Sequence, residues 1–157
     1  MSHAQERLWF LDQMNPGNST YNIPAAMAIK GQVDEDAIFK SIHAIIEKHE
    51  ILRTVFLEKY GRPYQYVKDS LRIDIPLIDL RHLNRSGGER EIKTILDRYA
   101  RFNFNLSTGP LIKVCLICQA VNRYILCINI HHIIADGWSM GILIKELCEY
   151  YQSLFQE

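Results

Sequence analysis

Two apolar runs rich in β-forming residues, Leu111 to Ala120 and Arg123 to Ile130, are separated only by Val121-Asn122. A connection that short between two extended runs predicts an antiparallel hairpin. Neither run alternates cleanly between apolar and polar residues, which is the pattern of central strands covered on both faces. The hairpin leads straight into Ile130-His131-His132-Ile133-Ile134-Ala135-Asp136-Gly137-Trp138-Ser139. From Trp138 or Ser139 to about Phe155, Ile142, Leu143, Leu147, Tyr150 and Leu154 then recur at helical spacing.

The rest of the chain supplies elements to cover such a hairpin. Ser2 with Gln5 three residues later is a capping-box pattern, and Ala4, Leu8 and Leu11 carry a short helix to about Gln13, which Asn15-Pro16-Gly17-Asn18 stops. Tyr21 to Lys30 reads as a strand, apolar on both faces towards its end, closed by Gly31. Asp34 to His49 is an amphipathic helix with a carboxylate-rich first turn and Ile38, Ile42, Ile45, Ile46 and His49 on one face. Leu52 to Lys59 and Tyr64 to Val67 flank Tyr60-Gly61-Arg62-Pro63 as a second hairpin, and Ile73 to Ile78 adds a strand. Ser86-Gly87-Gly88-Glu89 reads as a second capping box, opening a helix that buries Ile92, Ile95, Leu96, Tyr99 and Phe102. This order of elements predicts an α/β protein, an α+β two-layer sandwich with a largely antiparallel mixed sheet packed by helices.

Charge and length exclude several function classes. Lys plus Arg number 18 and Asp plus Glu 18, so no net charge favours nucleic acid or an anionic membrane. The longest apolar runs, such as Tyr124 to Ile130, fall far short of the roughly 20 residues that span a bilayer. No basic region followed by an apolar core follows Met1, so the expectation is a soluble, cytoplasmic protein. At 157 residues the chain can bury a core without help from disulfides or metal. Cys115 and Cys118 form a Cys-x-x-Cys, but residues three apart on a strand point to opposite faces and cannot share a metal. They read as reduced core thiols.

The chemistry-bearing stretch is His131 to Ser139. If the strand persists through the histidine pair, alternation sends one imidazole into the packed face and the other towards a cleft, so only one of them can work. Imidazole, with an ordinary pKa of about 6.5, is suited to general-base or proton-relay chemistry at neutral pH. Adjacent histidines diverge, which argues against a metal site. Asp136, flanked by Ile133, Ile134 and Trp138, needs a cation or several N–H donors if it is buried; it either orients a histidine or pairs with an arginine to fix the loop. Gly137 suits a sharp turn or a close approach. Ser139 is an N-cap candidate rather than a nucleophile, since no Gly-x-Ser-x-Gly surrounds it. Arg53 and Arg7 read as surface arginines, Arg7 on a solvated helix face beside Trp9 and Phe10.

Three stretches together resemble the condensation domains of nonribosomal peptide synthetases. Ser2-His3-Ala4-Gln5-Glu6-Arg7-Leu8-Trp9-Phe10-Leu11 resembles their opening motif, and Lys48-His49-Glu50-Ile51-Leu52-Arg53-Thr54-Val55-Phe56 their second, with Lys48 in place of Arg. His131-His132-Ile133-Ile134-Ala135-Asp136-Gly137 matches the His-His-x-x-x-Asp-Gly motif in full. That motif is shared with chloramphenicol acetyltransferases and the acyltransferase cores of 2-oxoacid dehydrogenases; the opening motif and Tyr21-Asn22-Ile23-Pro24 favour the synthetase branch. The intact histidine pair is unlike the cyclisation subtype, and Gln5 to Gln13 with Tyr21 to Pro24 is most similar to the subtype joining an L-donor to an L-amino acid.

The resemblance implies a chloramphenicol acetyltransferase-like fold and aminolysis of a thioester. Donor and acceptor would ride on phosphopantetheine arms of two carrier domains, with no cofactor bound directly. His132 would sit beside the attacking amine, and His131 would be structural. Asp136 would hold the loop through an arginine, Arg53 being one candidate. Gly137 and the head of the next helix would leave room for the substrate arm, with Trp138 and Ser139 supporting the loop and Arg7 contacting substrate or carrier. Family members have two lobes, and residues 1 to 157 correspond to the first. The expected partners are the C-terminal lobe, the carrier domains and an adenylation domain. The chain alone is expected to fold without catalysing and to expose an apolar docking surface. The competing readings are a small trimeric acyltransferase and a non-catalytic lobe that only docks carriers.

Overall fold

The structure, a computed structural model, describes residues 1–155. The hairpin on which the sequence turns is present. Strand β5 (Ile112–Ala120) and strand β6 (Arg123–His131) pair antiparallel, with Asn122 in the left-handed region at φ 60° closing the turn. Strand β1 (Asn22–Lys30) pairs antiparallel with β6, and strand β4 (Leu77–Asp79) pairs parallel with β5, giving the order β1-β6-β5-β4. The α/β class and the largely antiparallel mixed sheet are as the sequence predicts.

Burial follows from position in the sheet. Central strands β5 and β6 are buried on both faces. Edge strand β1 instead alternates between half-buried and exposed residues, which corrects the expectation of two apolar faces. Its outward row includes Pro24, a residue that an edge strand accommodates because one side of the backbone needs no ladder hydrogen bond.

Helices α1 (His3–Met14), α2 (Glu35–Lys48), α3 (Arg85–Ala100) and α4 (Gly137–Phe155) pack around this sheet. One face, carrying Val114, Leu116, Leu126 and Ile128, is covered by Ile38, Ile42, Ile45 and Ile46 of α2 and by Leu147 of α4. The other, carrying Cys115, Ile117 and Cys127, is covered by Ile92, Ile95 and Tyr99 of α3. Helices therefore cover both faces of the sheet. Cys115 and Cys127 are register partners beneath α3, buried and unbonded to each other by any disulfide. Lys48 at the end of α2, together with His49, holds Glu146 of α4 at 3.0 and 2.5 Å, which ties the two helices together.

Several boundaries differ for local reasons. The box at Ser2 and Gln5 forms in both directions. The second does not: Asn84 caps α3 by accepting the Gly87 N–H at 2.8 Å, and Ser86 lies inside the helix, donating its hydroxyl to Asn84. Phe102 lies beyond the end of α3 and is 36% exposed, so it is not on the helix's buried side. Strands β2 (Thr54–Lys59) and β3 (Arg62–Val67) form the second hairpin as a separate two-stranded sheet. Its turn is Tyr60-Gly61 alone, both at positive φ, so Arg62 and Pro63 already belong to β3. The Ile73–Ile78 run yields only the three residues of β4, starting after Pro76, which has no N–H to give a ladder.

Candidate active site

Strand β6 ends at His131, and the two histidines diverge there. His131 is 2% exposed, with its ring 6.2 Å from that of Phe104 and 6.4 Å from that of Tyr21. His132 is exposed. Alternation at the strand end thus selects His132 as the histidine that reaches solvent.

The backbone around His132 is held at three successive points. Its own N–H donates to Tyr21 O at 2.7 Å. The next N–H, from Ile133, donates to His131 Nδ1 at 3.1 Å. The carbonyl of Ile133 accepts from Gln5 Nε2 at 3.1 Å. Buried Ile133 and Ile134 anchor the loop in the core from below. Gln5 is itself held, since its Oε1 accepts from Ser2 N–H at 3.0 Å and from Gln65 Nε2 on β3 at 3.1 Å. The capping box of α1 therefore reaches beyond its own helix and pins the histidine loop to α1 and to the second hairpin.

A groove of about 760 Å³ opens in front of this loop. Gln5, Leu8, Leu11, Tyr21, His132 and Asp136 line it, with Arg7 at its exposed side. Leu8 and Leu11 are only half-buried because their helix turns Trp9 and Asp12, not the leucine stripe, into the core. A smaller cleft of about 180 Å³, lined by His49, Leu52, Met140 and Leu143, lies behind the same loop. Ile134, Ala135 and Ser139 border both cavities.

Asp136 corrects two expectations. It is exposed, and it is the N-cap of α4: Oδ1 accepts the Ser139 N–H and the Ser139 hydroxyl, each at 2.7 Å, and its carbonyl accepts from Met140 N–H at 3.0 Å. Ser139 is thus the residue capped, not the cap. The Ser139 hydroxyl, then its amide, hold the Asp136 carboxyl below the usual carboxylate range, with His132 adding a smaller push in the same direction. Arg53 does not reach it. Its guanidinium donates Nη1–H to Lys68 O at 2.6 Å and faces Glu50 at 3.9 Å, which fastens the β2–β3 hairpin. An exposed carboxylate at a helix start is stabilised by amide and hydroxyl donors and needs no arginine. Gly137 has no positive φ, and a Cβ there would meet open space, so the residue is not required for a turn. Trp138 is 81% exposed and lies outside the groove lining.

The Asp136 cap gives a direct expectation. Asp136→Asn, which keeps an accepting oxygen, should melt within about 1 °C of the parent, whereas Asp136→Ala should melt about 2–4 °C lower. Equal melting of both variants, by differential scanning calorimetry, would contradict the cap.

Burial, aided by the neighbouring His132, pushes the His131 pKa down to about 4. An unfolded imidazole protonates near its ordinary value of 6.5, so between 6.5 and about 4 the unfolded chain binds a proton that the folded chain does not. Stability must therefore fall as pH falls through that window, by about 3 kcal/mol for a shift of this size. Buried Asp12, whose carboxyl pKa burial raises, opposes this by taking up a proton in the folded state. Urea unfolding across this window should show the loss, and His131→Gln should remove most of it. Identical pH slopes for the two proteins would refute the assignment.

Proteins similar to this chain are numerous. A family model described as Condensation domain matches residues 1–157. A linear gramicidin synthase of Brevibacillus parabrevis is 37% identical over 156 residues, covering 99% of this chain and 3% of that protein. Chondramide synthase cmdD of Chondromyces crocatus is 39% identical over 151 residues, covering 96% and 4%. Phosphinothricin tripeptide synthetase PhsC of Streptomyces viridochromogenes is 37% identical over 147 residues, covering 94% and 14%. The chain thus spans a small fraction of each of these relatives' lengths. Among solved structures, the starter condensation domain of rhizomide synthetase RzmA superposes with a TM-score of 0.91 at 21% identity, covering 99% of this chain and 37% of that one. The first condensation domain of the calcium-dependent antibiotic synthetase superposes with a TM-score of 0.90 at 24% identity, covering 99% and 38%. Such low identities speak to the fold alone, but the match of the family model over the whole sequence does more: the chain belongs to the condensation domains of nonribosomal peptide synthetases.

Proposed function

We propose that this chain is the N-terminal lobe of a condensation domain, residues 1–157, that promotes amide formation between two carrier-bound groups, an L-configured acyl or peptidyl donor and an L-aminoacyl acceptor. The observation that carries the reading is the placement of His132, exposed in a groove of about 760 Å³ on a backbone held at three successive polar groups. The relatives' names, all peptide synthetases or synthases, supply the reaction class.

In the proposed step the acceptor's amine attacks the donor thioester carbon. A C–N bond forms, the C–S bond breaks, the amine loses a proton and the departing thiolate of the donor's phosphopantetheine arm gains one. A free α-amine has a pKa of about 7.7–8.0, so deprotonating it is a small demand and His132 contributes chiefly by holding the amine in line. In this reading the head of α4 lends its positive end to the developing oxyanion, and the open space at Gly137 leaves room for the substrate arm. Arg7, at the open side of the groove, contacts the substrate or a carrier. The partners are the C-terminal lobe, both carrier domains and an adjacent adenylation domain, in the cytoplasm. No helix among the described residues is long and apolar enough to cross a membrane.

The test is a condensation assay on residues 1–157 fused to a C-terminal lobe, with both carriers loaded. Mass spectrometry should find the donor group amide-linked to the aminoacyl group on the acceptor carrier. Free hydrolysed donor without that product, with both carriers loaded and present in excess, would overturn the reading.

A further inference from the structure

Three buried polar atoms gathered at one end of the sheet have no hydrogen-bond partner among the described residues: His131 Nε2, Asn129 Oδ1 and Asn22 Oδ1. The fold brings them to one place. Asn22 of β1 is the register partner of His131 on β6, and Asn129 precedes His131 by two, so all three side chains share one face of the sheet. His131 is 2% exposed and Asn129 0%.

The orientation of each group is fixed by what its other end does. Asn129 Nδ2 donates to Tyr99 O at 2.6 Å, and Asn22 Nδ2 donates to Ala100 O at 2.8 Å and to Phe102 O at 2.7 Å. These carbonyls, of which Tyr99 O also accepts the Phe102 N–H at 3.1 Å, can only accept, so flipping either amide would set oxygen against oxygen. His131 Nδ1 accepts the Ile133 N–H, which leaves the ring proton on Nε2. The cluster therefore presents one donor and two acceptors. A cation would meet the Nε2–H donor, and an anion would meet two carbonyl oxygens. The nearby ammonium of Lys113 is placed over the rings of Tyr99 and Phe102, at 5.4 and 4.2 Å. One water, accepting from Nε2–H and donating one hydrogen to each asparagine oxygen, satisfies all three groups.

We propose that His131, Asn129 and Asn22 bind a single buried water molecule, which locks His131 in its Nε2–H tautomer and through it fixes the peptide that follows His132. Asn22 and Asn129 are then positioning residues: the C-terminal end of α3 is coupled through them, the water and the His131 ring to the Ile133 N–H. The water site itself does not depend on the reaction proposed above.

A crystal structure of the protein at a resolution that shows ordered waters should place one water within hydrogen-bonding distance of all three atoms. Nitrogen-15 NMR of the His131 ring should show the proton on Nε2. Asn129→Leu, which keeps the shape and removes the acceptor, should abolish the water and speed amide exchange at Ile133 on the order of tenfold. A direct bond from His131 Nε2–H to an asparagine oxygen with no water between them would overturn the proposal. So would an Nδ1–H ring. Both of those results come from the parent protein, so they decide the matter even if Asn129→Leu fails to fold.

Discussion

His132→Ala is expected to slow amide formation on the order of 10²-fold, the loss that a misplacement of about 1 Å of a reacting group brings. The same change should leave the melting temperature nearly untouched, because the side chain is exposed and its backbone contacts survive the substitution. His131→Ala should behave in the opposite way. It empties a buried site between Tyr21 and Phe104 and strands the Ile133 N–H, so it should cost about 2–4 kcal/mol of stability. Activity would then be lost with the fold, and would return on cooling if the folded fraction returns. Measuring unfolding free energy beside the single-turnover rate separates the two histidines. A His132→Ala protein that is fully folded and fully active would refute its assigned role and favour a lobe that merely docks carriers.

What can be read in the sequence is set by locality. The β5–β6 hairpin and α2 are legible because their signals lie within a few residues: a two-residue turn, and isoleucines at helical spacing after Asp34. The divergence of His131 and His132 follows from strand alternation alone. The helix starts are harder, since Asn84 and Ser86 are both sound capping residues and only the path of the chain decides that the helix begins at Asn84, whose Oδ1 accepts the Gly87 amide. Asp136 departs from expectation because its apolar neighbours suggest burial. Those neighbours, Ile133 and Ile134, do turn inward, while the carboxylate caps a helix whose start the pattern Asp-x-x-Ser marks. The Gln5 contact with Ile133 spans 128 positions, and nothing local signals it. The capping box is reason enough for a glutamine at position 5, and it conceals that second role. The edge character of β1 is equally hidden, because exposure depends on which strands lie beside it.

Without a second lobe the chain is expected to give no measurable condensation, although it should fold. The core closes within residues 1–155: both sheet faces are covered by helices, and its large side chains, Phe56, Ile46 and Leu116 among them, are fully buried. Catalysis asks for more than a placed histidine. Holding two tethered reactants in line is worth effective concentrations on the order of 10⁵–10⁸ M, and that gain requires walls on both sides of the reacting atoms. The groove before His132 is open, and Phe10, Met14, Trp138 and Ile142 expose large apolar surface on α1 and α4, the two helices flanking it. In the proposed reading these side chains meet the C-terminal lobe, which closes the groove and excludes water from the thioester. Loaded carriers mixed with residues 1–157 should therefore yield only slow hydrolysis, and fusing the second lobe should restore amide formation. Light scattering should find the lobe free of the stable trimer that a small independent acyltransferase would need. Turnover by the single lobe near that of the two-lobe protein would sink this division of labour, since His132 and its groove would then suffice unaided.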